Sequence, residues 1–267
     1  MLITFIGGGN IATALIRGLE KSGSKHLSVR VCDPNPDVRD RLNAHHDVDT
    51  YIEPGTAVDG ADVIVLAVKP QIMPLVVESL RGLVLPEQLV LSVAAGTTVS
   101  SISAHLGAKQ AIVRAMPNTP ALTGHGITGL FAGEFCQPHH LEQAEKILNA
   151  TGEVVHIKDE SLMDVVTAVS GSGPAYYFLL TEALAAAGEK LGLPAATANH
   201  LAIHTCLGAG AMFLNEGEGP AALRKRVTSP AGTTEAAMHV FEDKNFRELM
   251  FEAVEAATIR SRELAKE

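Results

Sequence analysis

The 267-residue chain has no concentrated run of lysine or arginine, and its formal charge is −9. A nucleic-acid binder needs a dense basic surface to displace counterions from phosphates, so that class is excluded. Any anionic ligand must instead be held locally, by backbone amides or a few placed side chains. Cysteine is scarce: Cys32, Cys136 and Cys206 are widely spaced and odd in number. That pattern builds neither a disulfide framework nor a Cys-rich zinc site, and a reducing cytoplasm is the expected compartment. No apolar run reaches bilayer length, so no membrane association is expected. The apolar N-terminus lacks the basic lead of a signal peptide and is broken early by Gly7-Gly8-Gly9-Asn10. The histidines form no metal constellation. His45-His46 and His139-His140 read as solvated, and His200 and His204, four apart on a helix, lack a neighbouring carboxylate motif, so no metal site is expected.

What remains is an ordinary globular composition, 46% apolar and 19% charged, on a chain long enough for two modest domains. The first half alternates short β-like runs with amphipathic stretches. Strands are predicted at Leu2–Ile6, Ser28–Cys32, Val63–Val68, Leu89–Val93, Ala111–Arg114, Ile127–Phe131 and Glu153–His156. Helices fall at Ile11–Lys21, Asp37–Ala44, Val99–Leu106 and Leu141–Ala150. This alternation implies an α/β domain over 1–158, a parallel doubly wound sheet with helices on both faces. From 159 to 267 no strand is convincing, and an all-α domain is expected, with several helices opening on proline. One of them, Leu201–Met212, is small or apolar on nearly every face. A helix apolar all round must be buried, and a domain of about a hundred residues has little interior for it. Packing against a second subunit is the expected solution, with burial at the centre of its own domain the alternative.

The turn after the first strand, Ile6-Gly7-Gly8-Gly9-Asn10-Ile11-Ala12, fits G-x-G-x-x-A between a strand and a helix. Gly7 permits the tight turn, Gly9 leaves room for a pyrophosphate, and Ala12 lets helix and strand pack closely. The helix N-terminus offers free amides to a diphosphate. The second strand ends in Asp33-Pro34-Asn35. A carboxylate there favours the 2′-hydroxyl of NAD; alternatively Asp33 turns away as a helix-start residue, leaving Asn35, backbone amides and Arg39 for a 2′-phosphate. Ala67-Val68-Lys69-Pro70 and Ala94-Ala95-Gly96, at later strand ends, are further cofactor candidates, Lys69 reaching a phosphate or standing solvated.

Three more segments carry a resemblance: Arg114-Ala115-Met116-Pro117-Asn118-Thr119-Pro120, Ser170-Gly171-Ser172-Gly173-Pro174-Ala175-Tyr176 and Thr228-Ser229-Pro230-Ala231-Gly232-Thr233-Thr234. With the glycine turn and Ala67–Pro70 they make the whole chain similar to the pyrroline-5-carboxylate reductase family. The resemblance implies a Rossmann-type domain, then a helical dimerisation and substrate-binding domain. It implies NADPH-dependent reduction of a small cyclic imine to L-proline, with NADH as the alternative cofactor. A cytoplasmic homodimer is implied, assembled in some members into a decamer.

By resemblance, Thr234 hydrogen-bonds the substrate's ring nitrogen and is the catalytic residue, while Ser229, Gly232 and Thr233 hold the carboxylate. Glu160 matches a substrate-pocket residue, and Asn118 lies beside the nicotinamide. The Ser170–Pro174 turn would lie at the dimer interface. The chain departs from the family at Ala231, where glycine is usual, and near Pro54, where an asparagine often meets the adenine ribose.

Overall fold

The computed structural model describes residues 1–23, 26–107 and 109–265, and the chain divides into two compact units. Unit 1 is Met1–Ser172 with Ala256–Glu267; unit 2 is Gly173–Glu255.

Unit 1 is built on eight strands: β1 (Leu2–Ile6), β2 (Ser28–Cys32), β3 (Asp49–Tyr51), β4 (Val63–Leu66), β5 (Leu89–Ser92), β6 (Ala111–Met116), β7 (Gly126–Ala132) and β8 (Gly152–His156). Their order across the sheet is β3-β2-β1-β4-β5-β6-β7-β8. The helices of this unit are α1 (Asn10–Lys21), α2 (Pro36–His45), α3 (Pro54–Val58), α4 (Met73–Ser79), α5 (Val99–Leu106), α6 (Pro138–Leu148) and α7 (Met163–Val166). Strand residues alternate between two cores. Val63, Val65, Leu89 and Leu91 face α1 and α6, whereas Ile64, Leu66 and Val90 face α4 and α5. Burial on both faces explains why these strands read as unbroken apolar runs.

The sheet is parallel from β3 to β6, but β7 runs antiparallel to β6, and β8 is parallel to β7. The expected parallel order holds across β3 to β6 and breaks at the β6–β7 pair. Met116 and Gly126 are joined by little more than the 3₁₀ turn Thr119–Thr123, too short for the helical crossover a parallel neighbour requires. The short β3, α3 and α4 had no clear signature in the sequence. His140, expected to be solvated, is 4% exposed. It sits at the third position of α6, where its Nδ1 accepts the Gln137 N–H at 3.1 Å. The stretch after 159, expected to be helical, opens in three pieces: a 3₁₀ turn at Glu160–Leu162, α7, and a π-helical turn over Thr167–Gly171.

Unit 2 is all-helical: α8 (Gly173–Lys190), α9 (Ala195–Glu216), α10 (Pro220–Arg226), α11 (Thr233–Asp243) and the first half of α12 (Phe246–Leu264). α8 and α9 pack closely at Gly188, where a Cβ would stand 3.3 Å from that of Ala198. Large apolar side chains of this unit stay uncovered in the single chain, among them Phe178 at 69%, Leu207 at 67% and Phe251 at 58% exposure. The last turns of α12 belong to unit 1, where Thr258 and Ser261 are buried.

Candidate active site

The registers Ile6↔Cys32, Ile6↔Leu66 and Leu66↔Ser92 bring the carboxyl ends of β2, β1, β4 and β5 side by side. The expected cofactor residues of unit 1 follow these ends, with Asn118 just beyond β6. Open α/β sheets bind ligands at this edge. Gly7 has φ +99° and abuts the end of β4: a Cβ would stand 2.7 Å from the Ala67 carbonyl oxygen. Only glycine fits there. Gly9 is the converse, with nothing within 4 Å of the place a Cβ would take. Gly9 is also the N-cap of α1 and supplies no side chain to its first amides. The orphan N–H groups of Asn10 and Ile11 therefore face an open cradle, and a diphosphate fits both the space and the charge.

Beside the turn, Asp33 accepts the Gly8 N–H at 2.8 Å on Oδ2 and the Asn35 N–H at 2.9 Å on Oδ1. Asn35 caps α2 by accepting the Asp37 N–H at 3.0 Å. Asp33 thus stays at the glycine turn, and Asn35, not Asp33, starts the helix. Arg39 donates to the Asp33 carbonyl at 2.6 Å and Arg41 to the Gly8 carbonyl at 2.9 Å, so two guanidinium groups are tied to the backbone of this region. Cys32, next to Asp33, has its thiol pushed up to about 11 by burial and then by the Asp33 charge. Lys69 is exposed at the end of β4, and Ala94 and Gly96 are buried after β5.

Asn118 and Glu160 are engaged within the protein. Asn118 is 8% exposed; its amide donates to the Ser170 carbonyl at 3.2 Å and its Oδ1 accepts the Ile127 N–H at 3.0 Å. It ties the π-helical turn to the start of β7. Gly171 in that turn packs against the Met116 methyl, which would have to move aside for a Cβ. One oxygen of Glu160 accepts the Val99 N–H at 2.8 Å and faces Arg114 at 3.1 Å. Arg114, 3% exposed on β6, also faces Asp164 at 3.6 Å, and Asp164 accepts the Ser261 hydroxyl at 2.8 Å. This network, which fastens α12 to unit 1, was missed by sequence reasoning. An arginine inside an otherwise apolar strand was its signal.

In unit 2, Ser229, Gly232, Thr233 and Thr234 come together in one turn leading into α11. The Gly232 N–H closes the turn on the Ser229 carbonyl at 3.1 Å, with Pro230 and Ala231 between. Ala231 has φ +54°, a conformation costing about 1–2 kcal/mol for a residue with a Cβ. A Cβ on Gly232 would collide with the Ser229 hydroxyl. Gly232 is the N-cap of α11 and has no side chain to cap it, so the Thr233 and Thr234 amides are left without a cap, and the Ser229 hydroxyl lies against Gly232. Such a set of donors suits a small carboxylate. Glu235, which sequence reasoning missed, accepts the Ala231 N–H at 2.8 Å. Elsewhere, the His200 and His204 rings lie 4.3 Å apart on α9, and no group of three His, Cys, Asp or Glu among the described residues could hold a metal.

A doubly wound sheet carrying an open dinucleotide turn, followed by helices bearing a carboxylate-type turn, defines a nicotinamide-dependent oxidoreductase. Comparison with known proteins sharpens this. Residues 2–96 match the family described as NADP oxidoreductase, coenzyme F420-dependent, and residues 160–264 match the pyrroline-5-carboxylate reductase dimerisation family. The chain is 46% identical to the pyrroline-5-carboxylate reductase of Pseudomonas aeruginosa, covering 99% of this chain and 97% of that one. It is 40% identical to that of Haemophilus influenzae, covering 98% and 97%. Its fold superposes on a pyrroline-5-carboxylate reductase from Coxiella burnetii with a TM-score of 0.93 at 42% identity, covering 98% and 97%. The Plasmodium falciparum pyrroline carboxylate reductase with NADP bound superposes at 0.85 and 27% identity, covering 99% and 98%. The chain belongs to the pyrroline-5-carboxylate reductase family. It is an NAD(P)H-dependent oxidoreductase.

Proposed function

We propose that this chain reduces 1-pyrroline-5-carboxylate to L-proline, the last step of proline biosynthesis, as a cytoplasmic homodimer with NADPH as its cofactor. NADPH, when bound, supplies a hydride from nicotinamide C4 to the imine carbon of the substrate, the atom that becomes C5 of proline. The orphan amides at Gly9–Ile11 would hold its diphosphate, Asp33 and Asn35 would meet the adenosine ribose, and the Ala67–Pro70, Ala94–Gly96 and Asn118 segments would line its path. Ser229, Gly232 and Thr233 would fix the substrate carboxylate. Thr234 would hydrogen-bond the ring nitrogen, which must carry a proton for the adjoining imine carbon to accept hydride well. A threonine hydroxyl is too weak an acid to supply that proton outright, so Thr234 orients or relays it. Most of the rate then comes from placing the two carbons in reacting geometry. Glu160, held by Arg114 and the Val99 amide, would act by positioning the start of α5 rather than by touching substrate.

The observation that carries the reading is the turn at Ser229–Thr234, a second anion-type cradle in a chain whose glycine turn already provides one for a diphosphate. The experiment is steady-state oxidation of NADPH with 1-pyrroline-5-carboxylate, run beside small 2-hydroxy and 3-hydroxy acids with NADP in the reverse direction. Turnover with the imine alone is expected; turnover with the hydroxy acids alone would refute the reading. Thr234→Ala is expected to lower kcat by about tenfold to a hundredfold while leaving the Kd for NADPH within twofold. Unchanged kcat would remove Thr234 from catalysis.

The dimer reading rests on the helical unit. α8 and α9 leave apolar surface uncovered over much of their length, and the part matching the dimerisation family contains both. Among the described residues no helix is long and apolar enough to cross a membrane, so a lipid partner for that surface has no support from a membrane span.

A further inference from the structure

The substrate turn contains a contradiction between residue and conformation. Pro230 occupies its second position and Ala231 its third, and Ala231 has φ +54°. Proline holds its own φ near −65°, so a positive φ at the third position makes this a type II turn, in which glycine is the favoured third residue. Alanine favours the type I alternative, with negative φ and the peptide between Pro230 and Ala231 turned over. In the turn as it stands, that peptide directs its N–H to the Glu235 carboxylate at 2.8 Å. Turning the peptide over would break this charge-assisted bond. Glu235 lies at the third position of α11, half-buried, and the usual role of a glutamate there is to reach back to the N-cap amide. Here the N-cap amide, Gly232 N–H, is already taken by Ser229, and Glu235 reaches one residue further.

We infer that Glu235 is a positioning residue for the substrate-carboxylate turn: it holds Ala231 in the left-handed conformation that glycine would adopt unaided. The consequence is local. Turning the peptide over leaves Ser229 and Gly232 nearly in place but swings the Pro230 carbonyl to the side the Ala231 N–H now occupies, facing the first turn of α11. A carbonyl oxygen there would repel a carboxylate held by the Ser229 hydroxyl and the Thr233 and Thr234 amides. Glu235 itself need not touch substrate. The inference rests on the reading of Ser229–Thr234 as the substrate site.

Its test is a double-mutant cycle on the full chain at saturating NADPH, with kcat and KM for 1-pyrroline-5-carboxylate read separately. Glu235→Ala is expected to raise that KM by about fivefold to tenfold, with kcat and the KM for NADPH within about twofold. Glu235→Gln, whose amide oxygen still accepts the bond without charge, is expected to fall between the two. Ala231→Gly alone should leave KM within about twofold of the wild type, because glycine adopts the turn without assistance. The decisive variant is Ala231→Gly/Glu235→Ala, whose KM should return to within about twofold of the wild type. A KM unchanged in Glu235→Ala, or a double variant as impaired as the single, would overturn the inference. If Glu235→Ala does not fold, the double variant decides alone: folding with near-wild-type KM supports the role, and failure to fold or a raised KM overturns it. A wild type inactive with the imine would refute the functional reading together with the inference, whereas an active wild type with an indifferent Glu235 refutes only the inference.

Discussion

Asp33 commits both carboxylate oxygens to backbone amides, those of Gly8 and Asn35, and so stays where a ribose must pass. Each oxygen retains a lone pair for a ribose hydroxyl, while its charge opposes a 2′-phosphate. Arg39 and Arg41, each bonded by one nitrogen to a carbonyl of this region, bring positive charge that opposes that effect. Removing the carboxylate should leave the arginines in charge of the subsite. Asp33→Ser is therefore expected to raise the ratio of kcat/KM for NADPH over NADH by about tenfold, measured with both cofactors on both proteins. A ratio that falls would mean that Asp33 serves the phosphate through the turn it holds.

The glycine turn was legible in the sequence because its positions serve separate needs: Gly7 takes a positive φ against the Ala67 carbonyl, and Gly9 leaves open the space a diphosphate requires. The orientation of Asp33 was not legible, since it depends on which amides lie within reach after folding. Glu235 was hidden for the same reason: its partner is chosen by a positive φ at Ala231 that no residue type announces.

At the scale of elements, apolar runs located the central strands to within a residue or two, because strands covered on both faces have no polar positions to confuse the pattern. The direction of β7 was not encoded there, since an apolar run reads alike in either sense; the short link from β6 fixes it. α6 offers a test of a helix start. Burial, and then the neighbouring His139, lower the pKa of His140 from the usual 6.5, so the fold favours its neutral form. The unfolded chain takes up this proton first as the pH falls. Stability is therefore retained above about 6.5 and lost progressively below it, as the Nδ1 that accepts the Gln137 N–H becomes protonated. His140→Gln keeps an acceptor and removes the titration. Thermal unfolding at pH 7.5 and 5.0 should show a smaller loss of Tm for His140→Gln than for the wild type; equal losses would show that His140 carries none of the acid sensitivity.

For the whole molecule, the sequence announced an α/β half and a helical half through a change of period and of residue type. The uncovered side chains of α9 explain why Leu201–Met212 reads as small or apolar on nearly every face. Sedimentation of the wild type should give a dimer or a multiple of it. Leu207→Glu, which places a charge on one of the most exposed apolar positions of α9, should weaken association by at least about tenfold. A wild type sedimenting as a monomer at micromolar concentration would contradict the dimer.

The most direct measurement follows the hydride itself. With NADPH deuterated at the transferred C4 position and unlabelled 1-pyrroline-5-carboxylate, the product should be L-proline carrying a single deuterium at C5, read by mass spectrometry and proton NMR. Proline formed without deuterium at C5, or oxidation of the cofactor with no proline formed, would contradict reduction of the cyclic imine by this chain.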